Sequence, residues 1–210
     1  MEVSIPGEFN VANALTAVAG LAELGYDVAT IAEGLARVAG VPGRLEPVDA
    51  GQDFLALVDY AHKPDAVSAV LTSLRSRTIG RLVVVIGAGG DRDRGKRPLM
   101  GEVAGRLSDV LVVTDDNPRS EDPATIRAEL IAGAEGTPAE LHEVGDRGKA
   151  IRLAVSLASR GDCVVVAGKG HETGQEIAGT LHPFDDRVEL RQALADLGVP
   201  TVDEPTAARR

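Results

Sequence analysis

Between residues 10 and 40 the apolar positions recur at helical spacing, as Val11, Leu15, Val18 and Leu21, and after a break at Gly25 they resume with Ile31 and Leu35. The pattern predicts a pair of helices without strands. Such a pair cannot bury its apolar faces alone, so it is expected to close a preceding α/β unit, with the chain starting in mid-domain. Val41-Pro42-Gly43-Arg44-Leu45-Glu46-Pro47 places two prolines and a glycine between periodic segments and reads as an interdomain linker. Beyond it, residues 55–60, 82–86, 110–114 and 163–167 are short aliphatic runs without strict alternation, as expected of strands covered on both faces. Helical segments fall between them, near residues 65–75, 98–107, 123–134 and 147–158. Strands alternating with helices predict an α/β fold with a mostly parallel, doubly wound sheet. The expected division is 1–45 for the helices and linker, 46–200 for the α/β domain, and 201–210 for a frayed tail.

Composition narrows the function classes. At 210 residues and 44% hydrophobic, the chain can build one good core, or one domain and part of another. Aromatics make up 2% and Trp is absent, so the core is aliphatic and the stacking platforms of a single-strand nucleic-acid binder are missing. Twenty-two basic against 32 acidic residues give −10, which disfavours polyanions; no nucleic-acid partner is expected, and any anion site is local. No run approaches the roughly 18 to 20 apolar residues of a membrane span, and the first ten residues lack the basic end and apolar stretch of a signal peptide. A cytoplasmic protein with no membrane partner is expected. The single Cys163 lies in an apolar run and is expected to be a buried, inert thiol.

In a doubly wound sheet the ligand lies beyond the carboxyl ends of the strands. The four loops there are Asp59-Tyr60-Ala61-His62-Lys63-Pro64, residues 87–97, Asp115-Asp116-Asn117-Pro118-Arg119 and Gly168-Lys169-Gly170-His171-Glu172, all rich in charge. Gly90 to Lys96 fits GxxxxGK, but Arg97 stands where a phosphate-binding loop needs the Ser or Thr that holds magnesium. The dinucleotide pattern fails as well, because Arg92 occupies the third glycine position. What remains is a glycine-rich turn presenting Arg92, Arg94, Lys96 and Arg97, with Arg94 expected in solvent and Arg92 better suited to an anion. Arg119 offers a planar fork for a carboxylate, or alternatively pairs with Glu121 or Asp122 at a helix start. Gly168 and Gly170 permit close backbone approach, and Glu172 can accept from an ammonium. Cations and an anion together suit a zwitterion such as an amino acid. His62 and His171 each follow a strand and are open to acid–base or capping roles, while His142 and His182 are expected at the surface. Neither HxxxH, HExxH nor paired-cysteine spacing occurs, so no metal ligands are expected from this chain.

Six ordered segments carry a resemblance: Gly7-Glu8-Phe9-Asn10-Val11-Ala12-Asn13-Ala14, Gly43-Arg44-Leu45-Glu46, the Asp59 to Pro64 loop, Gly89 to Arg97, Asp116 to Arg119, and Gly168 to Glu172. In order and content they resemble the motifs of the Mur ligases, most of all the MurE-type branch that adds 2,6-diaminopimelate. The resemblance spans residues 5 to about 195. It implies a Rossmann-like C-terminal domain preceded by a helical remnant of the central ATPase domain. It also implies an ATP-dependent ligase that joins meso-diaminopimelate to UDP-MurNAc-L-Ala-D-Glu, the UDP-MurNAc-dipeptide of peptidoglycan synthesis, through an acyl phosphate. Arg92, Asp116, Asn117, Arg119, Gly168 and Glu172 would then hold diaminopimelate. Asn10 and Asn13 would lie near adenine, Arg44 and Lys96 near the phosphates or the hinge, Asp59 on the ribose, and His62 beside the nucleotide. The P-loop and the Mg2+ ligands of the family are expected in the N-terminal and central domains that this sequence lacks, so the chain alone is expected to be inactive. The alternatives are a stand-alone amino-acid- or nucleotide-binding module, and another Mur-type ligase of the MurF or folylpolyglutamate kind.

Overall fold

A computed structural model describes residues 8–38 and 40–197. The expected tail at 201–210, and Gly7 of the first motif, lie outside the described residues. The two predicted helices form as α1 (Glu8–Glu23) and α2 (Val28–Ala36), and Asp27 caps the second by accepting from the Thr30 N–H at 3.1 Å. Ala14 and Ile31 are buried, whereas Val11, Leu15, Leu21, Leu24, Tyr26 and Val28 are exposed. The pair thus leaves apolar surface uncovered, as its pattern implies.

The sheet contains β1 (Glu46–Pro47), β2 (Leu55–Asp59), β3 (Leu82–Ile86), β4 (Val110–Val113), β5 (Glu140–Glu143) and β6 (Cys163–Ala167). They lie in the order β1-β2-β6-β3-β4-β5, all parallel except β1, which pairs antiparallel with β2. Helices α3 (Pro64–Arg75), α4 (Lys96–Leu107) and α5 (Pro123–Ala134) cover one face, and α6 (Arg147–Leu157) and α7 (Asp186–Asp196) the other. Strand alternation is present but hidden by composition. Leu82, Val84 and Ile86 pack toward α3, α4 and α5, while Val83 and Val85 pack toward α6 and α7. Both faces of the pleat are apolar, which is why the runs read as continuous. Cys163 is buried in β6, and desolvation pushes its thiol up to about 12, so it stays protonated at neutral pH.

Three elements go beyond the pattern. The edge strand β5 has a neighbour on one side only and carries the polar sequence Glu-Leu-His-Glu, so it shows no apolar run. A hairpin of β7 (Gly174–Ile177) and β8 (Thr180–Pro183), too short and polar to signal itself, follows β6. Helix α7 then buries Leu190, Ala193 and Leu194, a stripe of a single turn.

Topology places the site. From β3 the chain departs through α4 toward β4 on one face. From β6, which is inserted between β2 and β3, it departs through the hairpin to α7 on the other face. The crevice beyond the carboxyl ends of β3 and β6 is therefore the switch point where ligands bind in open α/β sheets. Among the described residues, no helix is long and apolar enough to cross a membrane.

Candidate functional site

The four charged loops converge on a cavity of about 500 Å³ beyond these strand ends. Arg92, Asp116, Asn117, Arg119, Gly168 and Glu172 all line it, together with His62 and Lys96. Four other sequence candidates stand outside the lining. Asn10 and Asn13 lie on α1, where the Asn13 amide donates to Asn10 Oδ1 at 3.2 Å. The Arg44 guanidinium lies over the Tyr60 ring, 4.8 Å from its centroid. Asp59 is buried at the end of β2 and accepts from the Leu45 and Ala61 N–H groups, each at 2.8 Å, fastening the linker to the sheet. Burial raises its pKa, and those two hydrogen bonds oppose the shift.

One wall of the cavity is built from the β4 and β6 loops. The Arg119 backbone sits at φ +54° and is stitched into the hairpin: its N–H donates to Glu176 O at 3.0 Å, and its carbonyl accepts from the Ala178 N–H at 2.7 Å. Its guanidinium donates through Nη1 to Gly90 O at 2.7 Å, and Nε lies 3.3 Å from Glu176 Oε2. The side chain is also one of those lining the cavity. The alternative pairing of Arg119 with Glu121 or Asp122 does not occur. Glu121 binds Arg97, and Asp122 caps α5 by accepting from the Ala124 N–H. Asn117 Nδ2 donates to Glu172 Oε2 at 3.0 Å, and Asn117 Oδ1 accepts from the Glu176 N–H at 3.0 Å.

Two buried cations beneath this wall escaped the sequence reading. Lys169 Nζ donates to Asn117 Oδ1 at 2.8 Å. Arg147, fully buried, makes a two-pronged pair with the equally buried Asp186, through Nε at 2.7 Å and Nη2 at 2.8 Å. The same guanidinium reaches Ala167 O at 3.0 Å and Asp115 O at 3.3 Å, tying the end of β6 to the end of β4. Asp186 lies 39 residues further on, and no local pattern announces the pair.

On the opposite wall, from the β2 and β3 loops, the backbone is anchored, with the Gly90 N–H donating to Asn117 O at 2.9 Å and the Asp91 N–H to Glu121 Oε1 at 2.7 Å, but its ligand-facing side chains are held by fewer partners. Arg92 is exposed and donates only to its neighbour's carbonyl, Asp91 O, at 3.0 Å. Lys96 Nζ donates to His62 O at 2.9 Å; desolvation, then the charges of Lys63 and Arg97, lower its pKa against the opposing pull of Asp116 and Asp93. His62 Nδ1 lies 2.7 Å from Tyr60 O, leaving Nε2 for a ligand. The turn does not present Arg97 to a ligand as the sequence suggested. That side chain is fully buried and held by Glu121 and Glu129 at 2.7 to 3.0 Å, because α4 begins at Lys96 and turns the next residue inward. Arg94 is exposed and pairs with Glu129 at 2.5 Å. Among the described residues no three His, Cys, Asp or Glu side chains group to hold a metal ion.

The cavity thus presents Lys63, Arg92, Lys96 and Arg119 as cations and Asp65, Asp93, Asp116 and Glu172 as carboxylates, an arrangement able to hold a ligand bearing both charges. A family model described as "Mur ligase, glutamate ligase domain" matches residues 43–170. A UDP-N-acetylmuramoyl-L-alanyl-D-glutamate–2,6-diaminopimelate ligase of Corynebacterium glutamicum is 56% identical over 202 residues, covering 93% of this chain and 39% of that protein. A solved structure of a ligase of the same name is 41% identical, with a TM-score of 0.72, covering 94% of this chain and 40% of the other. Folylpolyglutamate synthase of Mycobacterium tuberculosis, solved with ADP and AMPPCP, is 26% identical with a TM-score of 0.64, over 79% of this chain and 38% of that one. The chain therefore spans about two-fifths of the length of the relatives it matches.

Proposed function

We propose a function from one premise: the chain belongs to the Mur ligase family. It supplies the amino-acid-binding part of a MurE-type ligase, a cytoplasmic enzyme that adds meso-diaminopimelate to UDP-MurNAc-L-Ala-D-Glu in peptidoglycan synthesis. The observation that carries this reading is the placement of Arg119 and Glu172 on one cavity, a guanidinium and a carboxylate lining the same space. Diaminopimelate carries a second carboxylate and ammonium at its distal end, which these two groups match. L-lysine has the ammonium without the carboxylate. The identity to diaminopimelate-adding relatives supports the same choice.

In the reaction so assigned, ATP phosphorylates the D-glutamyl side-chain carboxylate. The free amine of diaminopimelate attacks that acyl carbon, loses a proton, and phosphate leaves as the amide forms. Such chemistry depends on positioning and charge neutralisation and needs no protein nucleophile. Arg92, Asp116, Asn117, Gly168 and Glu172 orient the amino acid. Lys96, Arg44 and His62 face the nucleotide, with Asn10, Asn13 and Asp59 assigned to its base and sugar side. The folylpolyglutamate synthase of similar fold solved with ADP and AMPPCP supports ATP as the co-substrate, without bearing on which of these residues meets it. These 210 residues contain no GTxGKT-type P-loop, so carboxylate activation is assigned to the further part that the longer relatives contain, and the chain alone is expected to bind without ligating.

Calorimetry with the purified 210-residue protein tests this. Saturable binding of meso-diaminopimelate, at least tenfold tighter than L-lysine and without ligation, is the expected result. Equal affinity for both, or none for either at about 10 mM, contradicts the assignment.

A further inference from the structure

The ligand roles assigned so far leave unused the cation of the β6 loop. Lys169 is fully buried, which a lysine tolerates only when its ammonium is paired. Its neighbours explain how it gets there. Gly168 sits at φ +119° and Gly170 at φ +54°; a Cβ at the first would lie 2.8 Å from Asp116 Oδ2, and one at the second 2.7 Å from the Tyr60 Cβ. Glycine alone permits this path. The path turns Lys169 under the cavity floor, where Nζ donates to Asn117 Oδ1 at 2.8 Å and to Glu172 Oε2 at 3.3 Å, and lies 3.9 Å from Asp116 Oδ1. Three residues assigned to the ligand converge on one ammonium that does not itself line the cavity.

We propose that Lys169 is a positioning residue for the amino-acid site, fixing the Asn117 amide and the Glu172 carboxylate in their binding orientation; this rests on the diaminopimelate reading above. An amide flipped by 180° exchanges its donor for its acceptor. Here two donors, Lys169 Nζ and the Glu176 N–H, demand an oxygen at the inner position. Asn117 Nδ2 is thereby forced toward Glu172 Oε2, at 3.0 Å. That oxygen now accepts from two donors, Asn117 and Lys169, and Glu172 Oε1 remains for an incoming ammonium. Without the buried ammonium, Asp116 and Glu172 keep only the charge of Arg147 in common, and the Glu176 N–H alone is left to select the amide orientation.

The test has one arm without ligand and one with it, both on the full 210-residue chain. Hydrogen exchange of the Asn117 side-chain amide, followed by NMR, is expected to be slow in the wild type and at least about tenfold faster in Lys169→Met, since a charge-assisted bond is lost. Diaminopimelate affinity should fall about tenfold in Lys169→Met but less than about twofold when the same change is made in a Glu172→Gln background, because the two act as one unit. A lysine that merely packs would add its effect independently and leave the amide unchanged. If Lys169→Met does not fold, Lys169→Gln, which keeps a donor without the charge, is read in the same two ways. Wild-type Asn117 exchanging as fast as exposed Asn13, or fully additive losses, would overturn the proposal. A wild type that ignores diaminopimelate but whose Asn117 amide is released by Lys169→Met would instead remove the ligand assignment and leave the positioning role standing.

Discussion

The two walls of the cavity are built to different standards. The Asp116–Arg119 and Gly168–Glu172 wall rests on two fully buried cations and is stitched by main-chain hydrogen bonds to the hairpin. The facing wall presents Arg92 held by one neighbouring carbonyl, and Lys96 held by one more. The first wall fixes its ligand-facing side chains through buried partners, whereas the second has a backbone anchored to the first, through Gly90 and Asp91, but carries Arg92 as an exposed side chain. A pre-organised wall is what selective recognition of a small zwitterion needs, whereas loosely held cations suit a part completed by domain closure.

The largest expected effect is at the Arg147 brace beneath the first wall. Asp186→Ala strands that guanidinium in the interior, and urea unfolding is expected to show a loss of about 3 to 5 kcal/mol. A loss under about 1 kcal/mol would mean the first wall does not depend on this brace. Next comes Arg119→Ala, expected to weaken diaminopimelate binding about 10- to 100-fold, with Arg119→Lys recovering only part, because a point charge cannot replace a planar fork. L-lysine affinity should hardly move, and calorimetry reads both; equal losses for the two amino acids would make Arg119 a loop anchor. Arg92→Ala should cost a smaller factor, roughly three- to tenfold in diaminopimelate affinity, with stability changed by no more than about 0.5 kcal/mol. A large stability loss there would show the second wall to be as wired as the first.

The smallest effect concerns pH. Hydrogen bonds from Arg97, then from the Asp91 N–H, bring the Glu121 carboxyl down to about 2 from its ordinary 4.5. A folded-state pKa below the unfolded one contributes stability that is present above about 4.5 and is lost as pH falls through about 2. Carboxyl NMR should therefore place the Glu121 midpoint near 2, and denaturation should report falling stability between those values. A midpoint near 4.5 would mean that the Arg97 network behind the second wall is not formed.

The frame of the molecule was legible because its central strands are apolar on both faces and its helices carry multi-turn stripes. β5 was not, because an edge strand with solvent beside it can be Glu-Leu-His-Glu and still pair with β4. In the site, loop position after the strands sufficed to bring eight of the twelve assigned residues to one cavity. Direction was the missing information. Arg92 and Arg97 belong to the same charged turn, yet one faces solvent and the other is buried against two glutamates, a difference set by where α4 starts. Lys169 looked like one more loop charge, and only the backbone path through its two glycine neighbours reveals that it points inward.

On the proposed reading, the carboxyl-end cavity holds an amino acid with two charged ends, one of them against Arg119 and Glu172. Titration of meso-diaminopimelate into the isotope-labelled 210-residue protein, followed by NMR, reads the site residue by residue. Saturable shifts at Asn117, Arg119, Gly168 and Glu172, with smaller ones at Arg92, are the predicted result. Shifts confined to the opposite end of the sheet, around Phe54 and Ile79, or no shifts at about 10 mM ligand, would contradict it.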